Sequence, residues 1–239
     1  MNLAGQKIII FGGTSGIGLA AAKLAAENGA AVNITGRDQA RLDKAIGEIG
    51  KGASGEAVDA TDRKALDQFF SRIGAFDHLV LSISSGGGAG AFPSLDVPGL
   101  LKPMEGKVIA QLQAAQAALK TLAPDGSITF VSAASARAAF AGTAGLAAIN
   151  GALNAAAATL ALELKPRRIN VVSPGIVDTP IWSHFPEAER RQLLDREAKA
   201  LPVGRIGKPE EVAQTIVMLM SNGFITGAVI DCDGGARVK

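Results

Sequence analysis

The chain has 239 residues, enough for one α/β core, and its charges nearly cancel, with 24 Lys and Arg against 22 Asp and Glu. Basic residues form no run of the kind that binds DNA or RNA. The single cysteine, Cys232, excludes an intrachain disulfide and a zinc site built from several cysteines, so no metal centre is expected.

In chain order, Lys7–Phe11 is a short apolar run followed by glycines and an Ala-rich helical segment from Gly16 to Asn28. Ala31–Thr35 reads as a second strand. Gln39–Ile49 has helical spacing, with Leu42, Ala45, Ile46 and Ile49 on one face. Glu56–Val58 reads as a strand, Asp62 as the cap of a helix through Ile73, and His78–Ile83 as a buried strand. Long helices are predicted over Lys102–Leu122 and Thr143–Leu164, on either side of a strand at Ser127–Ser132. Arg168–Ser173 and Ala228–Cys232 complete the strands, with a helix at Glu210–Met220 between them. Ser84–Pro98 and Thr179–Gly207 read as loops.

Such alternation predicts an α/β fold, a Rossmann-like doubly wound parallel sheet of about seven strands with helices on both faces. One domain spanning residues 1–239 is expected, since no repeat or linker interrupts it. Met1–Gln6 lacks the basic start and apolar stretch of a signal peptide. The uncharged stretch Ala138–Leu162 is long enough to span a membrane, but its Ala and Gly content suits a helix buried in the fold or between subunits better. A soluble cytoplasmic protein with no membrane partner is the expectation.

Ile8–Phe11, Gly12, Gly13, Thr14, Ser15, Gly16, Ile17 and Gly18 form a strand, a glycine turn and a helix start. Gly12 permits a tight turn, Gly16 a close approach to a pyrophosphate, and Gly18 close packing of helix on strand. The free N–H groups around Thr14, Ser15 and Ile17 then face phosphates. The competing reading is an ordinary tight turn between strand and helix.

The Gly-x-x-x-Gly-x-Gly spacing, Val58–Asp62, Asn170–Pro180, Gly204–Ala213 and the Thr226–Gly235 end together resemble the short-chain dehydrogenase/reductase family, from about Lys7 to Gly235. The resemblance implies that Asp59 and Ala60 flank an adenine ring. It also implies that Ser82 borders the cofactor and that Pro174, Gly175, Ile176 and Thr179 hold the nicotinamide end. Where an NAD-preferring site usually carries an acid, this chain has Gly36 followed by Arg37. A guanidinium there neutralises a 2′-phosphate, which favours NADP(H) over NAD(H). Asp38 is the competing candidate for an NAD contact, and Arg37 could instead be a solvated surface side chain.

That family's usual chemistry uses a Ser, a Tyr, a Lys four residues later and an Asn on the preceding helix. This chain contains no tyrosine. Matching the two long helices from their ends puts the Tyr position on Leu146, the Lys on Asn150, the Ser on Ala133 and the Asn on Lys107. Ser132 and Ser135 are neighbouring alternatives for the serine. Lys107 and Asn150 thus look exchanged, and adjacent helices would let the amine and amide meet near the ribose. A lysine of lowered pKa can donate a proton. Otherwise Lys107 reaches solvent and Asn150 fills an interface. His184, in the loop expected to cover the substrate, is a further candidate acid, while His78 reads as structural. Trp182, Phe185 and Phe92 could line an apolar pocket or pack the loop onto the body.

The expected activity is an NADP(H)-dependent oxidoreductase acting on a small carbonyl or alcohol substrate, with a rebuilt proton relay. The alternatives are a nucleotide-binding sensor or assembly subunit without turnover, and a lyase or isomerase on the same scaffold. A homodimer or homotetramer is expected, with Ala155–Ala158 permitting close helix contact.

Overall fold

The computed structural model describes residues 2–238, apart from the side chain of His184. Seven parallel strands form one sheet in the order β3-β2-β1-β4-β5-β6-β7. They are β1 (Lys7–Phe11), β2 (Ala31–Gly36), β3 (Ala53–Ala57), β4 (Phe76–Leu81), β5 (Leu122–Val131), β6 (Arg168–Pro174) and β7 (Val229–Cys232). The helices are α1 (Gly16–Glu27), α2 (Gln39–Ile49), α3 (Arg63–Ile73), α4 (Leu101–Pro103), α5 (Ala110–Ala118), α6 (Ala144–Glu163), α7 (Glu187–Ala200) and α8 (Pro209–Ser221).

Alternation along β1 explains why both faces are covered. Ile9 and Phe11 enter one core with α3, α5 and α6, while Ile8 and Ile10 enter the other with α1, α2 and α8. A strand apolar on both sides is stable only between two helical layers. At one end of the first core, Phe11, Phe69, Phe70 and Phe76 pack ring on ring, with neighbouring centroids 5.1 to 5.9 Å apart. Strand order reverses between β1 and β4, so the C-terminal ends of these two strands flank the crevice where such sheets take ligands.

Four sequence expectations need correction. The third strand is Ala53–Ala57 rather than Glu56–Val58; it is an edge strand held by its pairing with β2, and its own residues carry little apolar signal. The fourth is Phe76–Leu81 rather than His78–Ile83, because its pairing with β1 ends where Leu81 meets Phe11. The long helix read over Lys102–Leu122 runs without interruption from Leu101 but ends at Ala118. After α4 the chain runs through a π-helical stretch, Met104–Ile109, into α5, and Leu122 already begins β5. The fourth correction concerns Thr179–Gly207, read as loop, which contains a short 3-10 turn, Pro180–His184, and the whole of α7. Good helix formers build α7, but only Leu194 on it is buried, so no apolar stripe marked it in the sequence.

Candidate functional site at the sheet's C-terminal edge

The glycine turn joins β1 to α1 under tight constraint. Gly12 has φ 75°, and a Cβ there would lie 2.4 Å from the Ser82 carbonyl oxygen. A Cβ on Gly18 would lie 2.2 Å from the Gly12 oxygen. Gly16 lies under Thr179, whose Cγ2 would be 3.2 Å from an added Cβ. Ser15 precedes α1 in extended conformation and makes no side-chain cap, so the first N–H groups of the helix have no side-chain acceptor. A glycine cradle ending in an uncapped helix start fits a dinucleotide's pyrophosphate. Thr14 and Ser15 lie on this turn, and Ile17 in the first turn of α1.

Across the crevice, the Pro174–Thr179 segment is fastened at several points. Gly175 N–H donates to Cys232 O at 3.1 Å, and Gly207 N–H to Ile176 O at 2.9 Å. A Cβ at Gly175 would meet Asp233 Cα at 2.7 Å. Trp182 Nε1 donates to Val177 O at 2.8 Å, and its ring stacks on Phe185 with centroids 6.3 Å apart. Arg190 on α7 pairs with Asp178. These contacts pack Trp182 and Phe185 onto the body, the second of the two readings of these aromatics. The side chain of His184 lies outside the described residues.

At the position expected for the adenosine end, Ala60 is buried and Asp59 exposed. The Asp59 carboxylate accepts from Thr61 N–H at 2.9 Å and from its hydroxyl at 2.8 Å. The backbone bond from Thr61 does most to hold it below the usual carboxylate range. Arg37 is exposed at the end of β2. Gly36 beside it has no room for a side chain as things stand, since a Cβ would lie 2.6 Å from the Thr14 methyl. Asp38 caps α2 by accepting from Arg41 N–H at 2.9 Å, which occupies one of its carboxylate oxygens. Arg41 was not singled out in the sequence; its guanidinium lies 3.4 Å from Ser15 Oγ, which places a cation beside the glycine turn.

The catalytic candidates meet where α6 crosses the π-helical stretch. Lys107 Nζ donates to Asn150 Oδ1 at 2.7 Å and to Ser132 O at 3.2 Å. Asn150 Nδ2 donates to Leu146 O at 2.9 Å and to Ser135 Oγ at 3.2 Å. Both partners are buried, Lys107 at 9% exposure and Asn150 at 2%. Burial pushes the Lys107 ammonium down to about 8. Ser132 contributes its carbonyl rather than its hydroxyl, which is buried with no hydrogen-bond partner. The half-buried hydroxyl of this cluster is Ser135, which accepts from Asn150 and keeps its own O–H for another partner. Gln111, one turn beyond Lys107, also went unread. Its Nε2 donates to Ile83 O at 2.9 Å and Val131 O at 3.3 Å, tying the ends of β4 and β5 together. The four-residue spacing of Lys107 and Gln111 was the available signal.

Leu146, at the expected tyrosine position, donates its N–H to Gly88 O at 3.1 Å. Gly90 N–H likewise donates to Gly142 O at 2.8 Å. The glycine-rich segment after β4 therefore folds onto the first turn of α6.

A family model described as enoyl-(acyl carrier protein) reductase matches residues 12–237. A short-chain dehydrogenase/reductase of Stachybotrys chlorohalonatus is 31% identical, with 100% of this chain and 99% of that protein aligned. The chain belongs to the short-chain dehydrogenase/reductase family. Another member of this family, a 3-oxoacyl-acyl-carrier-protein reductase of Thermotoga maritima, is 31% identical over 98% of this chain and 99% of its own length. A crystal structure of a small-chain dehydrogenase in complex with NADPH superposes with TM-score 0.85 at 30% identity, covering 98% of this chain and 99% of that one. As a short-chain dehydrogenase/reductase, the chain carries a nicotinamide-cofactor fold and is of oxidoreductase type.

Proposed function

We propose that the protein is an NADP(H)-dependent oxidoreductase of a small carbonyl or alcohol substrate, in which Lys107 stands in for the missing tyrosine. The observation that carries this reading is the buried bond from Lys107 to Asn150. Gly12, Thr14, Ser15, Gly16, Ile17 and Gly18 would hold the pyrophosphate. Asp59, Ala60 and Ser82 would border the adenosine side, and Pro174, Gly175, Ile176 and Thr179 the nicotinamide. Arg37, with Arg41 nearby, would take the 2′-phosphate, which no acidic residue at position 36 opposes. The NADPH in the related dehydrogenase structure supports the same preference. NADPH bound there would supply the hydride.

The chain's own residues then supply orientation and a proton. Ser135 directs its free O–H at the substrate oxygen. Lys107 passes a proton to that oxygen when a carbonyl is reduced and recovers it when an alcohol is oxidised. Asn150 aims both groups at once, accepting from the amine and donating to the hydroxyl. The amide is an orienting group, since it carries no readily transferable proton of its own. His184 is the other candidate acid.

Hydride transfer from labelled NADPH to a panel of ketones tests this. Turnover in the parent protein and loss of about a hundredfold or more in Lys107→Met, with NADPH affinity nearly unchanged, is the expected result. Unchanged activity in Lys107→Met would remove Lys107 from the mechanism.

A second reading, a nucleotide-binding subunit without turnover, is favoured by one contact. The Leu146 bond to Gly88 draws the glycine-rich segment over the place where a tyrosine would act. NADPH binding with no turnover of any ketone would support it. We also propose a homodimer or homotetramer through the exposed small residues Ala155 and Ala158 on α6, which light scattering tests.

A further inference from the structure

Gln111 is fully buried at the place where two central strands stop pairing. The ladder between β4 and β5 ends at Leu81 and Phe130. Beyond it, Ser82 N–H turns to Phe11 O and Ser132 N–H to Val172 O, each at 2.9 Å, so each chain leans on its other neighbour. Gln111 bridges the two. Its Nε2 donates to Ile83 O at 2.9 Å and to Val131 O at 3.3 Å. A primary amide has two N–H donors, and each strand end takes one. Its Oε1 is buried with no partner among the described residues, so both bonds of the side chain are donated ones.

Lys107 makes the next bond along the same strand end. Val131 O and Ser132 O are consecutive carbonyls, the first taken by Gln111 and the second by Lys107 at 3.2 Å. The two side chains leave one helical run four residues apart, where the π-helical stretch Met104–Ile109 passes into α5. A planar peptide and one α-carbon separate the two carbonyls, so a shift of Val131 O carries Ser132 O with it.

We propose that Gln111 is a positioning residue for Lys107: by tying Ile83 O to Val131 O, it fixes the Ser132 carbonyl on which the amine rests. The proposal depends on the reading of Lys107 as proton donor for its chemical use, but not for its geometry.

No neighbouring charge masks this effect. Asn150, Ser132 and Ser135, the partners in the cluster, are neutral. Of the helices packed on the π-helical stretch, α5 bears no ionisable side chain and α6 only Glu163, at its far end; Lys102 and Glu105 are exposed. A hydrogen bond lost by the ammonium is therefore read directly in its titration.

The titration of Lys107, followed by NMR of the lysine-labelled full chain and assigned by the signal that Lys107→Met removes, tests this without turnover. Gln111→Met keeps the length and removes both donors. The Lys107 midpoint should then fall by about half a pH unit or more, because the ammonium loses a well-placed acceptor. Gln111→Asn keeps an amide but withdraws it by one methylene, a milder change for the fold, and should lower the midpoint by less. Ile216→Ala, a buried truncation in the opposite layer, controls for lost stability and should leave the midpoint in place. A midpoint that stays in place or rises in the Gln111 variants, or that Ile216→Ala lowers equally, would overturn the proposal. NADPH oxidation with a panel of ketones is read separately. A midpoint moved by Gln111 in a protein that turns over no ketone would uphold the placement of Lys107 and bring down the oxidoreductase reading instead.

Discussion

Lys107 Nζ lies 2.7 Å from Asn150 Oδ1, a buried cation whose two acceptors are an amide oxygen and the backbone oxygen of Ser132. No carboxylate contributes to its shift; burial alone draws it down to about 8. The amine therefore titrates close to neutral pH, where a proton donor is most useful.

The sign of the pH dependence follows. Carbonyl reduction needs the protonated amine, so its rate should fall as pH rises through about 8, and alcohol oxidation should rise over the same range. Asn150→Asp places a carboxylate against the amine and should move the midpoint up by about one unit or more. Asn150→Ala removes an acceptor and should move it down. Initial rates across pH in both directions check this, and a midpoint that ignores both substitutions would dissociate Lys107 from the rate.

Cofactor discrimination should reside in Arg37. Arg37→Ala is expected to weaken NADPH by about tenfold or more and NADH hardly at all, because only the former carries the charge the guanidinium meets. Equal losses for both cofactors, measured by calorimetry, would make Arg37 an ordinary surface residue.

Two glycines should respond oppositely to alanine. At Gly18 the new methyl would stand 2.2 Å from the Gly12 oxygen, so α1 must shift from β1, costing roughly 1–3 kcal/mol and the cofactor cradle together. Gly47 on α2 has nothing within 4 Å of an added Cβ, and alanine there should stabilise by about 0.5–1 kcal/mol. Urea unfolding of both variants, with NADPH titration of Gly18→Ala, decides.

Acid should destabilise the fold through His78. Its Nδ1 lies 2.8 Å from Ser127 Oγ and its Nε2 3.1 Å from Gln6 Oε1, and burial pushes it down to about 4. In the unfolded chain the ring takes a proton near 6.5, whereas in the fold it resists until about 4. The stability is thus fully present above about 6.5 and lost as pH falls toward 4, by roughly 3 kcal/mol in all. His78→Gln should flatten this part of the pH–stability curve measured by urea titration.

The sequence by itself determined the layered fold and the dinucleotide turn. Periodicity in β1 and the glycine spacing from Gly12 to Gly18 are local signals, readable because backbone φ, turn geometry and burial of both strand faces depend on neighbouring residues. It also registered the absence of tyrosine and the apparent exchange of Lys107 with Asn150. Only the tertiary structure decided that these two side chains share a hydrogen bond, that Ser135 rather than the Ser132 hydroxyl joins them, and that Asp38 is occupied as a helix cap. The same holds for the π-helical stretch between α4 and α5, which carries the buried Lys107, and for α7, whose polar sequence hides a helix. The contacts of Lys107 and Asn150 depend on segments far apart in the chain, where position in space, and with it the desolvation that tunes a lysine, is fixed by packing rather than by residue order.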